Sequence, residues 1–337
     1  MKKRIAVYKD NLSTGRGADR AVRNFAVALS ERDFDVVLFD KAELDSRLKE
    51  AFDVFVATGS NEVADLDRAG YFGRADRAIV VLQLHLAPRG FFKWRHPFRN
   101  RAIRKAFDKV DVAQVLCRSY EKEFRAIAPH PKIVTIGNWT DMSAPTGFIP
   151  SADSRTILYP AAALNKVKNQ KCLIRAFAAL ADDFPDWKIR LLGKDTSRYA
   201  CECHREIKRL RLQNRVEIVG FTNDLKGEYS RAAFVAFPSK LEGFPLAILE
   251  AAQFGLCAVV HKDLPGVEDI VQANKTGVIV ENSVAAFASG LRNLMASAEY
   301  RLSLGIKARE YCREHYSRDN IIDKWNLLLE NKLVLEC

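Results

Sequence analysis

Short runs of β-branched and apolar residues alternate with longer segments of helical periodicity along the chain. This alternation predicts βαβ units, in which helices join parallel strands and cover the sheet. In the first part of the chain we predict strands at residues 4–8, 35–39, 53–58, 78–84, 112–116 and 132–136. The helices predicted between them include residues 17–31, 98–107 and 119–127.

The alternation stops after residue 136 and resumes at residue 156. Segment 138–153 is rich in Pro, Ser and Thr and has no sustained period, so we expect a linker there. Beyond it we predict strands at residues 156–159, 188–192, 216–219, 233–237, 257–261 and 277–280. Helices are predicted at about residues 167–182, 198–211, 245–254, 283–296, 298–314 and 318–334.

These elements predict two doubly wound α/β domains, at residues 1–150 and 151–317. A length of 337 residues suits two domains. The remaining residues, 318–337, are expected to form a helix that packs back on the first domain. Ligands of doubly wound sheets bind beyond the carboxyl ends of the strands. Two such domains facing each other would therefore leave a binding cleft between them.

Two carboxylates stand eight positions apart in segment 237–254, around a Gly-Phe-Pro turn. Pro245 suits the first turn of a helix and Gly255 suits its end. Apart from Glu250 and Gln253 that helix is apolar, which predicts that it is buried. A buried carboxylate requires a polar partner, so we expect Glu250 to meet a ligand or a neighbouring polar group.

Composition narrows the class of protein. The chain is 48% hydrophobic and 28% charged, as in soluble globular proteins, and its net charge is +11. Its basic start leads into a short first strand and not into a signal peptide, and no apolar run approaches the length of a membrane span. We therefore expect a cytoplasmic protein.

The seven scattered cysteines suit reduced thiols, and Cys201, Cys203 and His204 lack the second ligand pair that a zinc site needs.

Several segments resemble the retaining glycosyltransferases of family 4, also called group 1. In family order they are the glycine loop 14–20, the strand end 83–85, segments 136–141, 164–170 and 219–223, and the Glu-x7-Glu pair Glu242 and Glu250. The resemblance implies the GT-B fold, which has two facing Rossmann-like domains. It also implies a nucleotide-sugar donor, no cofactor and no metal for the chemistry.

The resemblance also implies roles for individual residues. Lys168 would bind the diphosphate, Glu250 the ribose hydroxyls, and Glu242 the donor sugar and its phosphate. His85 would approach the donor sugar from the other domain, so the catalytic candidates are His85, Glu242 and Lys168. The further donor-binding candidates are Gly17, Lys166, Gly193, Phe221, Gly243, Phe244, Pro245 and Leu246.

One position departs from the family pattern. Ala163 stands where the family usually has an Arg, five residues before Lys168. Lys166 is a candidate substitute, although an ammonium does not reproduce the bidentate geometry of a guanidinium. A nucleotide-sugar-binding scaffold without activity is therefore one alternative.

Other enzyme classes fit less well. The loop at 15–20 resembles G-x-G-x-x-G of NAD-dependent enzymes, but Arg20 replaces the third glycine. The Asp-x-Asp pairs at 33–35 and 65–67 have the spacing of metal-dependent glycosyltransferases, and we expect both on exposed loops. A glycosidase pair at Glu242 and Glu250 and a non-hydrolysing nucleotide-sugar epimerase remain alternatives.

A basic and aromatic segment stands out in the first half. Residues 89–109 hold eight Lys or Arg against one Asp, with four aromatic residues interleaved near the start. Such a mixture favours an interface with anionic lipid, and nucleic acid is the weaker alternative. The candidate docking residues are Arg89, Phe91, Phe92, Lys93, Trp94, Arg95 and Arg99.

Together these patterns predict a retaining hexosyltransferase-type enzyme that moves a sugar from a nucleotide diphosphate, with UDP favoured, to a saccharide or lipid-linked saccharide. The family resemblance implies a role in bacterial cell-surface polysaccharide or lipopolysaccharide synthesis. The expected location is the inner face of the cytoplasmic membrane, as a peripheral protein, with no nucleic-acid partner.

Overall fold

A computed structural model describes residues 2–12, 17–85, 87, 104–127 and 132–330, with backbone only for residues 17–20 and 127. The chain divides into two compact units. Unit 1 comprises residues 1–137 together with residues 319–337, and unit 2 comprises residues 138–318.

Unit 1 is built on a parallel sheet with strand order β2-β1-β3-β4-β5-β6. The strands are β1 (Lys3–Tyr8), β2 (Phe34–Phe39), β3 (Val54–Ala57), β4 (Ile79–Gln83), β5 (Val112–Val115) and β6 (Ile133–Thr135). The central strands are buried at almost every position, because helices cover both faces of a doubly wound sheet. The helices of unit 1 are α1 (Gly17–Ser30), α2 (Leu44–Arg47), α3 (Ser60–Arg68) and α4 (Arg118–Ile127), with a 3₁₀ turn at Tyr71–Gly73 and further helical residues at 104–109.

Unit 2 repeats this architecture with a parallel sheet of order β12-β11-β10-β7-β8-β9. Its strands are β7 (Thr156–Tyr159), β8 (Lys188–Leu192), β9 (Val216–Gly220), β10 (Phe234–Phe237), β11 (Ala258–His261) and β12 (Gly277–Val280). Its helices are α5 (Gln170–Ala178), α6 (Arg198–Arg209), α7 (Leu225–Arg231), α8 (Leu246–Gln253), α9 (Val267–Ile270), α10 (Val284–Ala296) and α11 (Ala298–Tyr316).

The last helix, α12 (Arg318–Leu329), packs on α1 within unit 1. The rings of Phe25 and Trp325 lie 4.7 Å apart between centroids, and the guanidinium of Arg32 pairs with Asp319 at 3.2 Å and Asp323 at 3.0 Å. The chain therefore returns to its first unit to complete that core.

The predicted α/β architecture is confirmed, and each of the twelve predicted strands is present within two residues of its predicted ends. The boundary between the units lies at residues 137 and 138 and not at residue 150. The segment after residue 138 belongs to unit 2 because it packs there: the Phe148 ring lies 5.6 Å from that of Phe254, and the Arg309 guanidinium donates to the Phe148 carbonyl at 3.3 Å. Helices α2, α3, α7 and α9 were not predicted.

Strand order locates the binding edge of each unit. In a doubly wound sheet the crevice opens at the carboxyl edge, where the chain reverses the direction in which it adds strands. We call this point the switch point. In unit 1 it lies between β1 and β3, and in unit 2 it lies between β7 and β10. The loops that begin at residues 9, 58, 160 and 238 therefore carry the positions to inspect for chemistry.

Candidate active site

The loop after β7 contains a tight turn that presents Lys168. The Asn165 side-chain oxygen accepts from the backbone N–H groups of Val167 and Lys168, each at 3.0 Å, and so closes the turn. Asn169 then adopts a left-handed conformation with φ of 57°, and helix α5 starts one residue later. The prediction that the helix begins at residue 167 was wrong, because the asparagine turn takes its place. Lys168 therefore lies on a loop before the helix.

Lys168 and Glu242 form an ion pair across the two loops. The ammonium donates to both carboxylate oxygens at 2.6 Å, and both side chains are largely buried, at 22% and 12% exposure. Tyr159 at the end of β7 supports the pair, since its hydroxyl lies 2.7 Å from the carbonyl oxygen of Lys168 and 2.7 Å from the Ser239 hydroxyl. The structure thus joins two of the predicted catalytic residues at the switch point of unit 2.

Glu250 is held by a tyrosine. The Tyr229 hydroxyl donates to Glu250 Oε2 at 2.8 Å and lies 3.2 Å from the carbonyl oxygen of Ala247. Burial, and next the Glu250 carboxylate, raise the pKa of Tyr229 well above its usual value, so this hydroxyl is a hydrogen-bond donor. Sequence reasoning missed Tyr229 because it lies on α7, which was not predicted. Tyr229 lies in a short amphiphilic segment before β10, and that pattern does not indicate a contact with Glu250.

Helix α8 is not buried all round, which corrects the prediction. Leu246, Glu250 and Gln253 are half-buried and share one face, since they are four and three positions apart, whereas Ile248, Leu249, Ala251 and Ala252 are buried. Pro245 is buried and lies one residue before the helix. Glu250 therefore lies on a partly open face and needs no counter-charge inside the core.

Gly193 has a structural reason to be glycine. Its φ of 121° is unfavourable for other residues, and a Cβ there would lie 2.6 Å from the Ala161 carbonyl oxygen. Ala163 pairs with Lys194 in a short parallel bridge next to this contact. The loop after β8 therefore lies directly against the loop after β7. Ala163 carries no guanidinium, so the charge of the Arg that the family usually has here is missing from this loop.

The remaining donor-binding candidates in unit 2 lie on the loops that follow β7, β9 and β10. Gly243 and Phe244 are half-buried, and the Phe244 ring lies 5.8 Å from that of Tyr316. Lys166 is exposed, and Phe221, directly after β9, is 71% exposed. Phe221 is thus a large exposed aromatic surface at the carboxyl edge of the sheet.

In unit 1, His85 follows β4 at the carboxyl edge. Its Nε2 atom is buried and has no hydrogen-bond partner among the residues that the structure describes. Burial, with a smaller contribution from Lys9, lowers the pKa of His85 to about 4. The imidazole is therefore neutral at physiological pH, with one ring nitrogen left to meet a polar group.

A charged cluster at the switch point of unit 1 was not predicted. The Lys9 ammonium, directly after β1, donates to Glu62 Oε1 at 2.7 Å and to Asp10, and Glu62 is only 2% exposed. The Asp10 backbone N–H donates to the same Glu62 oxygen at 3.1 Å. The sequence signal was a Lys-Asp pair immediately after a buried strand.

Asp65 also differs from its prediction. It lies buried on α3, accepts from the Tyr8 hydroxyl at 2.9 Å and pairs with Lys41 at 2.9 Å, whereas an exposed loop was expected. The Tyr8 and Lys41 groups that satisfy it come from distant parts of the sequence. An Asp-x-Asp metal motif at 65–67 is therefore excluded by the internal partners of Asp65.

Some predicted residues fall outside this description. The docking candidates Arg89, Phe91, Phe92, Lys93, Trp94, Arg95 and Arg99 all lie outside the described residues, and Gly17 is described only as the first residue of α1. Within the described ranges, no group of three or more His, Cys, Asp or Glu side chains is placed to hold a metal, and the six cysteines present are free. No helix in those ranges is both long and apolar enough to cross a bilayer.

Comparison with known proteins identifies the unit that carries this site. Residues 148–311 match the family model described as glycosyl transferases group 1. The second unit is a group 1 glycosyltransferase domain. The predicted resemblance to this family is confirmed, and the Lys168, Glu242 and Glu250 side chains all lie within the matched residues.

Two curated relatives and one solved structure illustrate the similarity. An uncharacterized glycosyltransferase of Haemophilus influenzae is 26% identical over 61% of this chain and 63% of its own length. N-acetylgalactosamine-N,N'-diacetylbacillosaminyl-diphospho-undecaprenol 4-alpha-N-acetylgalactosaminyltransferase of Campylobacter jejuni is 32% identical over 43% of this chain and 39% of its own length. The matches thus span less than two thirds of either relative.

The solved structure of Alr3699/HepE of Anabaena, in complex with UDP and glucose, matches the fold with a TM-score of 0.78. It is 17% identical and covers 98% of this chain and 100% of its own chain. This similarity shows that the chain has the GT-B class of fold.

Proposed function

We propose that this chain is a retaining glycosyltransferase that transfers a hexose-type sugar from a UDP-sugar to a saccharide or lipid-linked saccharide acceptor. The observation that carries the proposal is the Lys168–Glu242 ion pair at the switch point of a group 1 glycosyltransferase domain, with Glu250 on the helix that follows. The proposed setting is bacterial cell-surface polysaccharide or lipopolysaccharide synthesis.

The diphosphate is assigned to Lys168. Its ammonium already neutralises a carboxylate at 2.6 Å, so a phosphate that takes this position must replace Glu242 as its counter-ion. Glu242 is then released to accept from hydroxyls of the donor sugar. The first N–H groups of α8, which begins at Leu246, add partial positive charge to the same loop.

The ribose is assigned to Glu250. A carboxylate has about four lone-pair sites, so it can accept from two vicinal hydroxyls while Tyr229 holds Oε2 at 2.8 Å. Tyr229 also fixes the rotamer, which reduces the conformational entropy that is lost when a nucleotide binds. Glu250 can therefore meet two ribose hydroxyls while it keeps its hydrogen bond to Tyr229.

Names of similar proteins support the finer assignments. The Anabaena structure contains UDP and glucose, which favours a uridine nucleotide here. The Campylobacter relative is named for a 4-alpha linkage and a diphospho-undecaprenol acceptor. An α product formed from an α-linked nucleotide sugar is retention, and a lipid-linked acceptor agrees with a peripheral place at the membrane.

The proposed chemistry is a front-face substitution without a protein nucleophile. The bond between the anomeric carbon and the β-phosphate oxygen breaks, the acceptor oxygen bonds to the anomeric carbon on the same face, and the acceptor proton passes to the departing phosphate. Lys168 stabilises the charge that develops on that phosphate, with no metal assigned to this role. His85, which is neutral, is assigned a hydrogen bond to a sugar hydroxyl through Nε2.

A transfer assay tests the proposal. The protein is incubated with UDP-, GDP- or ADP-sugars and with a panel of saccharides and diphospho-undecaprenol-linked saccharides, and the release of nucleoside diphosphate is measured. We expect release of UDP that depends on the acceptor, and an α-anomeric product by NMR. Binding of UDP without any turnover would contradict the proposal and favour a nucleotide-sugar-binding scaffold, for which Ala163 is the supporting departure.

Membrane association is tested separately. The basic and aromatic segment at residues 89–99 is proposed to contact anionic lipid. We expect wild type to sediment with vesicles that contain phosphatidylglycerol and a variant with Ser at Arg89, Lys93, Arg95 and Arg99 to remain in solution. Equal sedimentation of the two proteins would exclude this role.

A further inference from the structure

A cavity of about 420 Å³ lies in unit 2, beside the end of α8. It is lined by Arg309 and Arg313 of α11, by Gln253 at the end of α8, and by the segment 143–148. A volume of roughly 300–1,000 Å³ is usual for pockets that hold small ligands. None of the residues that line it belongs to the loops that carry Lys168 and Glu242.

The two arginines present an unbalanced positive charge. They lie four positions apart on α11, so they share one face of the helix. Among the described residues neither forms an ion pair with a carboxylate, and Arg309 donates only to the Phe148 carbonyl oxygen, at 3.3 Å from each of its two terminal nitrogens. The Nε atom of Arg309 is buried without a hydrogen-bond partner.

The pKa of Arg309 also indicates a positive charge that no carboxylate of the described residues balances. Burial, and next the charge of Arg313, lower the pKa of Arg309 from its ordinary value, and no carboxylate offsets them. Like charges on neighbouring side chains are unfavourable unless an anion lies between them. Guanidinium groups bind phosphate oxygens through paired hydrogen bonds, and Ser143, Thr146 and Gln253 add neutral groups that can donate.

The position of Arg309 is fixed by close packing. An added Cβ at Gly255 would lie 2.7 Å from the terminal nitrogen of Arg309, and one at Gly305 would lie 1.8 Å from the Gly255 carbonyl oxygen. Helix α11 therefore rests directly on the turn between α8 and β11, with Arg309 over Gly255. A guanidinium held in this way loses little further freedom when it binds an anion.

We propose that this pocket is a second anion site, which binds a phosphate group through Arg309 and Arg313. The group can belong to a soluble phosphate ester or to a phospholipid headgroup, since both present the same oxygens. Its charged groups differ from those of the donor site, because Arg309 and Arg313 lie on α11 whereas Lys168 and Glu242 lie on the loops after β7 and β10.

The test is a titration with inorganic phosphate at constant ionic strength, in which chloride makes up the difference, followed by thermal unfolding. We expect a saturable rise in the unfolding midpoint of wild type. Arg313→Gln should weaken the apparent affinity about tenfold or more, because a charge-assisted hydrogen bond is lost. Lys307→Gln, an exposed lysine on the same helix, removes the same charge and should leave the titration unchanged.

Two further arms distinguish the sources and the sites. Repeating the titration with Lys168→Gln excludes the donor site: a phosphate effect that disappears in this variant contradicts the proposal. Flotation with phosphatidic acid vesicles, against phosphatidylcholine vesicles, shows whether the same Arg313→Gln change removes lipid binding. The proposal is overturned if wild type shows no saturable phosphate effect, or if Lys307→Gln and Arg313→Gln weaken it equally.

Discussion

The carboxyl edges of the two sheets carry charge in different ways. In unit 2, Lys168 and Glu242 pair between two loops and both remain partly exposed. In unit 1, Lys9 pairs with Glu62, which is 2% exposed, and the neutral His85 has a buried ring nitrogen without a partner among the described residues. The two edges therefore present different polar groups to a ligand: a partly exposed ion pair in unit 2, and a buried ion pair with a neutral imidazole in unit 1.

The difference lies in what a ligand must replace. Lys168 and Glu242 keep 22% and 12% exposure, so a diphosphate can reach Lys168 and replace Glu242 as its counter-ion without leaving the ammonium unpaired. A pair with one fully buried member is costly to break, because the remaining charge would be left in a medium of low polarity. We therefore infer that the Lys9–Glu62 pair stays closed and supports the edge, whereas the Lys168–Glu242 pair opens in function.

The largest effect is expected from Lys168→Gln, which removes the cation assigned to the leaving phosphate. We expect kcat to fall by about 10²–10³, the usual loss when one group that stabilises transition-state charge is removed. Steady-state kinetics with the UDP-sugar measures this loss. Lys226→Gln, an exposed lysine in the same unit, is the matched control. A fall in kcat of less than tenfold would show that the phosphate is held elsewhere.

The next effect concerns pH and unit 1. The pKa of His85 is lowered from 6.5 to about 4, so the unfolded chain binds a proton there at a higher pH than the folded chain. The stabilising contribution is therefore complete above pH 6.5 and is lost as pH falls towards 4, by about 3 kcal/mol at most. Thermal unfolding between pH 7 and pH 4.5 should show a smaller drop in midpoint for His85→Gln than for wild type.

His204→Gln controls for this experiment, since His204 is exposed. It should follow the wild-type curve. If His85→Gln also follows the wild-type curve, the imidazole is not kept neutral by burial, and the contrast between the two edges is lost.

Glu250→Gln sharpens the assignment of the ribose. The substitution keeps the shape but removes the charge, so each hydroxyl loses a charge-assisted hydrogen bond of about 1.5–3 kcal/mol. We expect KM for the donor to rise about tenfold to a hundredfold with little change in kcat. Glu281→Gln, an exposed glutamate in unit 2, should leave both constants unchanged. An effect on kcat alone would indicate that Glu250 acts in the chemical step and not in donor binding.

Tyr229→Phe should give the smallest effect. It removes the hydroxyl 2.8 Å from Glu250 and keeps the ring that stacks on Phe254 at 5.3 Å. Loss of one hydrogen bond of about 1 kcal/mol predicts a rise in donor KM of about fivefold. Tyr300→Phe, a more exposed tyrosine with a longer hydrogen bond of 3.4 Å, is the control. An unchanged KM would mean that Glu250 is oriented by other contacts.

Much of the fold follows from local periodicity. The strands of both sheets were predictable because buried parallel strands are short continuous apolar runs bounded by turns. Helix α3 was missed because Glu62 and Asp65, which are buried on it, make its polar pattern resemble an exposed loop. Their partners, Lys9 and Tyr8, are more than fifty positions away, and sequence-local reasoning does not see such pairs.

The candidate site was predictable to a different degree in each unit. The family resemblance gave Lys168, Glu242 and Glu250, but the Asn165 turn that presents Lys168 and the Tyr229 hydroxyl that orients Glu250 depend on loop conformation and on tertiary packing. In unit 1, His85 was predicted from the resemblance alone. The Lys9–Glu62 pair required the strand order, which places the ends of β1 and β3 side by side.

The most direct test of the account is calorimetric titration of UDP, GDP and ADP into wild type and Glu250→Gln. The account predicts saturable binding of UDP to wild type, weaker binding of the other two nucleotides, and a loss of about tenfold or more in UDP affinity in the variant. Equal UDP affinity of the two proteins, or no binding of any nucleotide, would contradict the claim that the carboxyl edge of unit 2 is a nucleotide-sugar site.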